Sequence, residues 1–122
     1  GNRAASAREA AAELSLTRAR VDLKNIEIDV DYNVRKTLRD LEVARRVIAA
    51  REEALRLADE QVDVERVKLE AQTTTNLQVF EAEDQRTQRR SEYVAARVDL
   101  RLAALDLVRI TGLPMRDLLA TP

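Results

Sequence analysis

From Arg3 to Ala71 the chain contains neither glycine nor proline. Those are the residues that most readily interrupt a helix. The run therefore predicts continuous helix through roughly 65–70 residues, on the order of 100 Å long. A helix of that length points to coiled coil or a repeat assembly rather than to an ordinary globular element. The interruption is just as plain. Thr73, Thr74 and Thr75 are three consecutive β-branched residues, followed by Asn76, a good cap for a second helix. The helical pattern resumes from Leu77 to Ile110 and stops at Thr111-Gly112, where glycine suits a helix C-cap and Pro114 blocks continuation. At the other end Asn2 is suited to cap the first helix, with Glu9 and Glu13 near its positive pole. Met115 to Ala120 has room for one or two further turns. The expectation is an all-α chain forming a single segment over 1–122, a long antiparallel coiled-coil hairpin. Its first helix runs over about 3–72 and its second over 76–111, with the tip near 72–77 and a tail over 112–122.

Composition agrees with long helices. The chain is 45% hydrophobic, 35% charged and only 2% aromatic. A thick globular core draws on Phe, Tyr and Trp, whereas Ala, Val and Leu dominate here and suit thin contacts between helices. The 21 basic and 22 acidic residues are spread along the whole chain. No basic block stands apart, so nucleic-acid binding has no electrostatic footprint. Cysteine and histidine are both absent, which removes thiol nucleophiles, imidazole bases and the usual zinc ligands. No stretch approaches the ~20 apolar residues that span a bilayer, and no signal peptide opens the chain. An exported protein of this kind is expected to begin before Gly1.

The apolar spacing says more. In the first helix Val34, Leu41, Ile48, Leu55, Val62 and Leu69 recur every seventh residue, with Thr37, Ala44 and Ala58 three positions on. A second ladder runs through Val43, Val47, Ala50, Ala54, Leu57, Val64 and Ala71. The two are offset by two residues, which is roughly 200° around a helix. In the second helix Phe80, Val94, Val98, Leu105 and Val108 form one side, and Ala82, Ala96, Leu100, Ala103, Leu107 and Ile110 the other. An isolated pair of helices needs one seam. Two opposed seams imply neighbours on both flanks, as in a curved wall or closed ring; the alternative is that the Ala-rich second stripes are simply good helix formers. The first helix is about twice the second, so half its length must find partners outside the hairpin.

The residues around the turn and at the end of the second helix resemble the TolC-like outer-membrane efflux protein family. Gly1-Asn2-Arg3-Ala4-Ala5 is similar to the segment that leaves a barrel strand and enters the family's second long helix. The turn from Val67 through Gln72, Thr73, Thr74, Thr75 and Asn76 to Ala82 is similar to the family's hairpin tip. Ala103 to Gly112 resembles its terminal helix, which ends in a similar Thr-Gly. One departure is clear. The family's usual tip glycine falls at Gln72, so either the turn differs or Gln72 is still helical. The resemblance implies an outer-membrane homotrimer continued by a periplasmic α-barrel. This chain is then a fragment of that barrel, the hairpin of the second repeat. It also implies docking onto a periplasmic adaptor (membrane fusion) protein and, through it, an inner-membrane pump, as in tripartite efflux or type I secretion.

Residues 71–80 form the longest stretch of the chain without a charge. A hairpin end is normally well solvated, so an uncharged one suggests contact. The candidate partner-binding tip is Gln72, Thr73, Thr74, Thr75, Asn76 and Leu77; an ordinary capped turn reads the same residues without a partner. Just inside lie Glu81, Glu83 and Asp84. By the resemblance Gln78 and Glu81 line the entrance constriction, although Gln78 is not acidic, which implies a less cation-selective entrance. Alternatively these are carboxylates favoured near a helix N-terminus. Catalysis needs groups converging in a water-restricted pocket, which a thin hairpin lacks. No enzyme activity, cofactor or metal is therefore expected. Arg and Glu pairs such as Glu52 and Glu60 with Arg56 are expected to add tenths of a kcal/mol each. The alternatives are a generic coiled-coil scaffold, or the adaptor-side hairpin of the same export machine.

Overall fold

The computed structural model describes residues 1–112, and the expected turns over Met115–Ala120 and the stop at Pro114 lie outside them. The described residues form two helices, α1 (Asn2–Glu70, 69 residues) and α2 (Asn76–Thr111, 36 residues). Contacts divide the chain into two compact units, Gly1–Lys36 and Thr37–Pro122.

The first unit is helix alone. Its composition of Ala, Leu, Arg and Glu favours helix. The carbonyl of Gly1 accepts from the Ala5 N–H at 3.4 Å. Gly1 therefore takes the capping place expected of Asn2, which is already helical. Local bonds support the helix: Arg35 pairs with Asp31 at 3.0 Å, and the Thr17 hydroxyl donates to the Glu13 carbonyl at 3.0 Å. Leu14, Leu16, Val21, Leu23, Ile26 and Ile28 are all about half exposed. Within this unit they bury nothing.

The second unit is an antiparallel helical hairpin. The first ladder of α1 faces α2. Leu41 and Val62 are buried, Ile48, Leu55 and Leu69 half-buried, and Thr37 is buried beside them. The partner side of α2 is the set Ala82, Ala96, Leu100, Ala103, Leu107 and Ile110, all buried or half-buried. Leu41, Ala104 and Leu107 form the tightest knot, with Leu100 and Ala103 packed on it. Ala104 is 0% exposed. An alanine there lets the two backbones approach closely, so the seam is thin.

The helix ends explain the turn. α1 stops at Glu70 rather than 72. Gln72 adopts a left-handed conformation (φ 59°), so it is neither helical nor a departure from the geometry a glycine would give. Its N–H donates to the Leu69 carbonyl at 3.0 Å and the Thr73 N–H to the Lys68 carbonyl at 2.8 Å. This crossed pair of bonds is the Schellman motif, which satisfies the last carbonyls of a helix and ordinarily uses glycine at the left-handed position. The cap of α2 is Thr75, not Asn76. Thr75 is extended (φ −114°, ψ 160°), and its hydroxyl accepts from the Gln78 N–H at 3.3 Å. Asn76 is the first helical residue. At the far end Gly112 is left-handed (φ 74°), with its N–H donating to the Val108 carbonyl at 2.7 Å. Glycine does cap this helix, as its position before Pro114 predicts.

The two caps generate opposite expectations. Gln72→Gly relieves a side chain held at positive φ and raises the unfolding free energy by about 0.5–1 kcal/mol. Gly112→Ala imposes that strain where nothing lies within 4 Å of an added Cβ, and lowers it by about 1 kcal/mol. Urea unfolding followed by circular dichroism reads both.

Candidate functional site

The hairpin tip brings the six predicted partner-binding residues together, and the three threonines prove to be used by the hairpin itself. The Thr73 hydroxyl donates to the Lys68 carbonyl at 3.2 Å, reinforcing the end of α1. Thr75 caps α2. Thr74 turns inward, and its hydroxyl donates to Oε2 of Glu65 at 2.8 Å. Glu65 is only 7% exposed. Its other oxygen accepts from Nε2 of Gln61 at 3.0 Å, and the Lys68 ammonium lies 3.5 Å away. A buried carboxylate needs such partners to offset its lost hydration. The tip thus closes on an internal polar cluster that the sequence reading did not anticipate. The signal was there: Glu65 stands seven residues beyond Ala58 in the seam register.

What remains for an outside contact is smaller than the charge-free stretch suggested. Gln72, Asn76 and Leu77 are exposed, Leu77 to 63%. Gln78 and Glu81, assigned to an entrance, are both exposed and lie three residues apart on one side of α2. Of the neighbouring acids, Glu83 reaches across the hairpin to Arg66 at 3.1 Å.

Polar residues also occupy the middle of the seam. Arg86, Arg89, Glu92 and Tyr93 are half-buried, and Tyr93 and Arg86 stand where a purely apolar ladder would place Leu or Val. Arg51 of α1 pairs with Glu92 at 3.1 Å, and Arg89 donates to both Glu92 oxygens at 3.0 Å. Arg86 faces Asp59 at 3.8 Å, and its buried Nε makes no hydrogen bond. Heptad extension backward from Leu107 and Leu100 reaches Tyr93, Arg86 and Val79 in turn, and Val79 is buried. On the outer surface Arg56 bonds Glu53 and Glu60 rather than the expected Glu52. The Arg56 guanidinium holds the Glu53 carboxyl below the usual carboxylate range. Both are exposed, so the pair has the character of a surface ion pair.

The second ladders stay open apart from Ala54, which is half-buried. Val43, Leu57 and Val64 are 57%, 52% and 45% exposed, and on α2 Phe80, Val94, Val98 and Leu105 are each at least half exposed. Val108, expected on that outer side, is half-buried. No described helix is long and apolar enough to cross a membrane. The fold and its open edges define an antiparallel coiled-coil hairpin with unsatisfied lateral surfaces. Comparison with protein-family models, curated proteins and solved structures returns no match.

Removing the inward hydroxyl tests the tip cluster. Thr74→Val leaves the Glu65 carboxylate short of one buried donor and costs about 1–3 kcal/mol in unfolding free energy. Thr73→Val, losing an exposed bond, costs less than about 1 kcal/mol. Denaturant midpoints of the two variants make the comparison.

Proposed function

We propose that this chain is a wall segment of an export duct: the periplasmic helical hairpin of a TolC-like outer-membrane efflux protein, working without cofactor or turnover. The observation that carries the reading is the state of the two ladders. One ladder of each helix is consumed by the hairpin, while the opposed ladder, from Val43 to Val64 on α1 and from Phe80 to Leu105 on α2, lies open. Apolar surface repeated at heptad spacing on the outer flank of both helices fits a rod with neighbours on each side, as a cylinder of helices requires. The resemblance at the turn and at Thr111-Gly112 supplies the family. The left-handed Gln72 supports it, because that position is where the family's tip glycine falls.

In this reading the tip meets a periplasmic adaptor, with Gln72, Asn76 and Leu77 as the groups free to make the contact. The full-length protein is a homotrimer, and an inner-membrane pump is reached through the adaptor. Gln78 and Glu81 line the entrance. A coiled-coil scaffold unconnected with export is the second reading. It is favoured by the tip threonines, whose local roles explain an uncharged turn without any partner.

Two measurements on the full-length protein decide the matter. Leu77→Asp places a charge on an exposed side chain that the hairpin does not use. It is expected to abolish export in cells while leaving the protein folded and at normal abundance; unimpaired export removes adaptor docking from the proposal. Glu81→Gln is expected to reduce cation preference in single-channel conductance, and unchanged selectivity removes Glu81 from the entrance.

A further inference from the structure

Among the openings of the groove between α1 and α2, two on one flank of the hairpin are alike. The first, about 310 Å³, is lined by Val43, Ala44 and Ala96 together with Asp40 and Asp99. The second, about 350 Å³, is lined by Leu57, Ala58, Ala82, Gln85 and Arg89. Their linings correspond at a spacing of fourteen residues (43 to 57 and 44 to 58 on α1, 96 to 82 and 99 to 85 on α2). Two heptads are about 21 Å along a helix. Midway, where Arg51 stands seven residues from both Ala44 and Ala58, the Arg51–Glu92 pair closes the groove at 3.1 Å. The surface therefore alternates alanine-floored hollow, polar bridge, alanine-floored hollow.

The outer side of α2 carries a ridge of the same period. Phe80 and Val94 are also fourteen residues apart (80 to 94) and are 61% and 51% exposed. Midway stands Thr87, small, polar and exposed. Charge selects one way of seating this ridge. Phe80 is flanked by Glu81 and Asp84, and Val94 by Arg90 and Arg97. With Phe80 in the hollow beside Arg89, and Val94 in the hollow beside Asp40 and Asp99, opposite charges meet at both levels. Turned end for end, like charges meet at both.

We propose that the groove receives the Phe80–Thr87–Val94 ridge of a second copy of this chain, the two hairpins lying side by side and pointing the same way. This goes beyond the duct-wall reading: it gives the chain taken by itself a neighbour of its own kind and a register. Phe80 of one copy sits at the level of Ala82 of the next, and Val94 at the level of Ala96. Ridge and groove positions on α2 differ by two residues, roughly 200° around the helix. Each copy therefore receives one contact and gives another. Such head-to-tail pairing closes into a ring or runs on as an open array.

Cross-linking tests the register, because the chain has no cysteine of its own. An equimolar mixture of Leu57→Cys and Phe80→Cys chains is expected to give the mixed disulfide on mild oxidation, as is Val43→Cys with Val94→Cys. The mismatched pair, Leu57→Cys with Val94→Cys, is expected to give at least about tenfold less, its sulfurs being held about 20 Å apart. Phe80→Glu and Val94→Glu should keep the helical spectrum and lower the average mass in sedimentation equilibrium. Equal yields from matched and mismatched pairs, or a chain that remains monomeric, overturn the proposal. Those results leave the duct reading to the export measurement on Leu77→Asp, since there the neighbouring rod can be a different hairpin.

Discussion

A hairpin of two helices can hide only one flank of each, and most of what this molecule is follows from that limit. The buried seam is thin. It rests on Leu41, Val62 and Leu107, with Ala96 and Ala104 bringing the backbones together. Each of these leucines and valines contributes a few kcal/mol at most. Against that stands an outer surface on which Val43, Leu57, Val64, Phe80, Val94 and Leu105 remain about half exposed. Isolated apolar residues on a surface are ordinary, but a row repeated along two helices is not. Covering that row would remove further apolar surface from water, a stabilisation that the hairpin by itself does not obtain.

The polar middle of the seam has a different consequence. An all-alanine-and-leucine seam is indifferent to sliding by a heptad, since each layer resembles the next. Arg51–Glu92, Asp59–Arg86 and Arg66–Glu83 cross between the helices at successive levels. A slip of seven residues parts all three and takes the half-buried Arg86 away from Asp59, which is costly. These pairs add little to stability when well made, yet they favour the observed alignment over a slipped one. The alignment matters because the two hollows of the groove are each built from both helices.

Much of the hairpin was legible because helix-breaking residues are so sparse. The run without Gly or Pro, the three threonines and the closing Gly112 located both helices to within two residues at each end. The two ladders were legible for the same reason: period seven survives any uncertainty in boundaries. Which ladder faces inward was harder to read, since Ala82 and Ala96 look weaker than Phe80 and Val94. Alanine wins the interior because close helix packing excludes larger side chains, and Phe80 remains outside. The cap at Thr75 was missed because Thr and Asn are both good caps, and their order depends on where the Schellman turn releases the chain. Glu65 was missed because charge is ordinarily read as surface.

The tip shows why an uncharged stretch is an ambiguous signal. Thr73, Thr74 and Thr75 each spend their hydroxyl on the hairpin. A carboxylate at 74 would oppose Glu65, whereas Asp in place of Thr75 would cap α2 as well as Thr does. Local folding therefore accounts for hydroxyl side chains from Thr73 to Thr75. It does not account for Leu77, which is 63% exposed at the first turn of α2, where a polar residue would serve the helix equally well. A lone apolar side chain at the end of a rod contributes little to orientation. Direction and register must then come from the flanks, where hollows, ridges and charges repeat together. In the proposed assembly the rods would first align with one another, and the end surface on which Leu77 stands would take its form from that alignment.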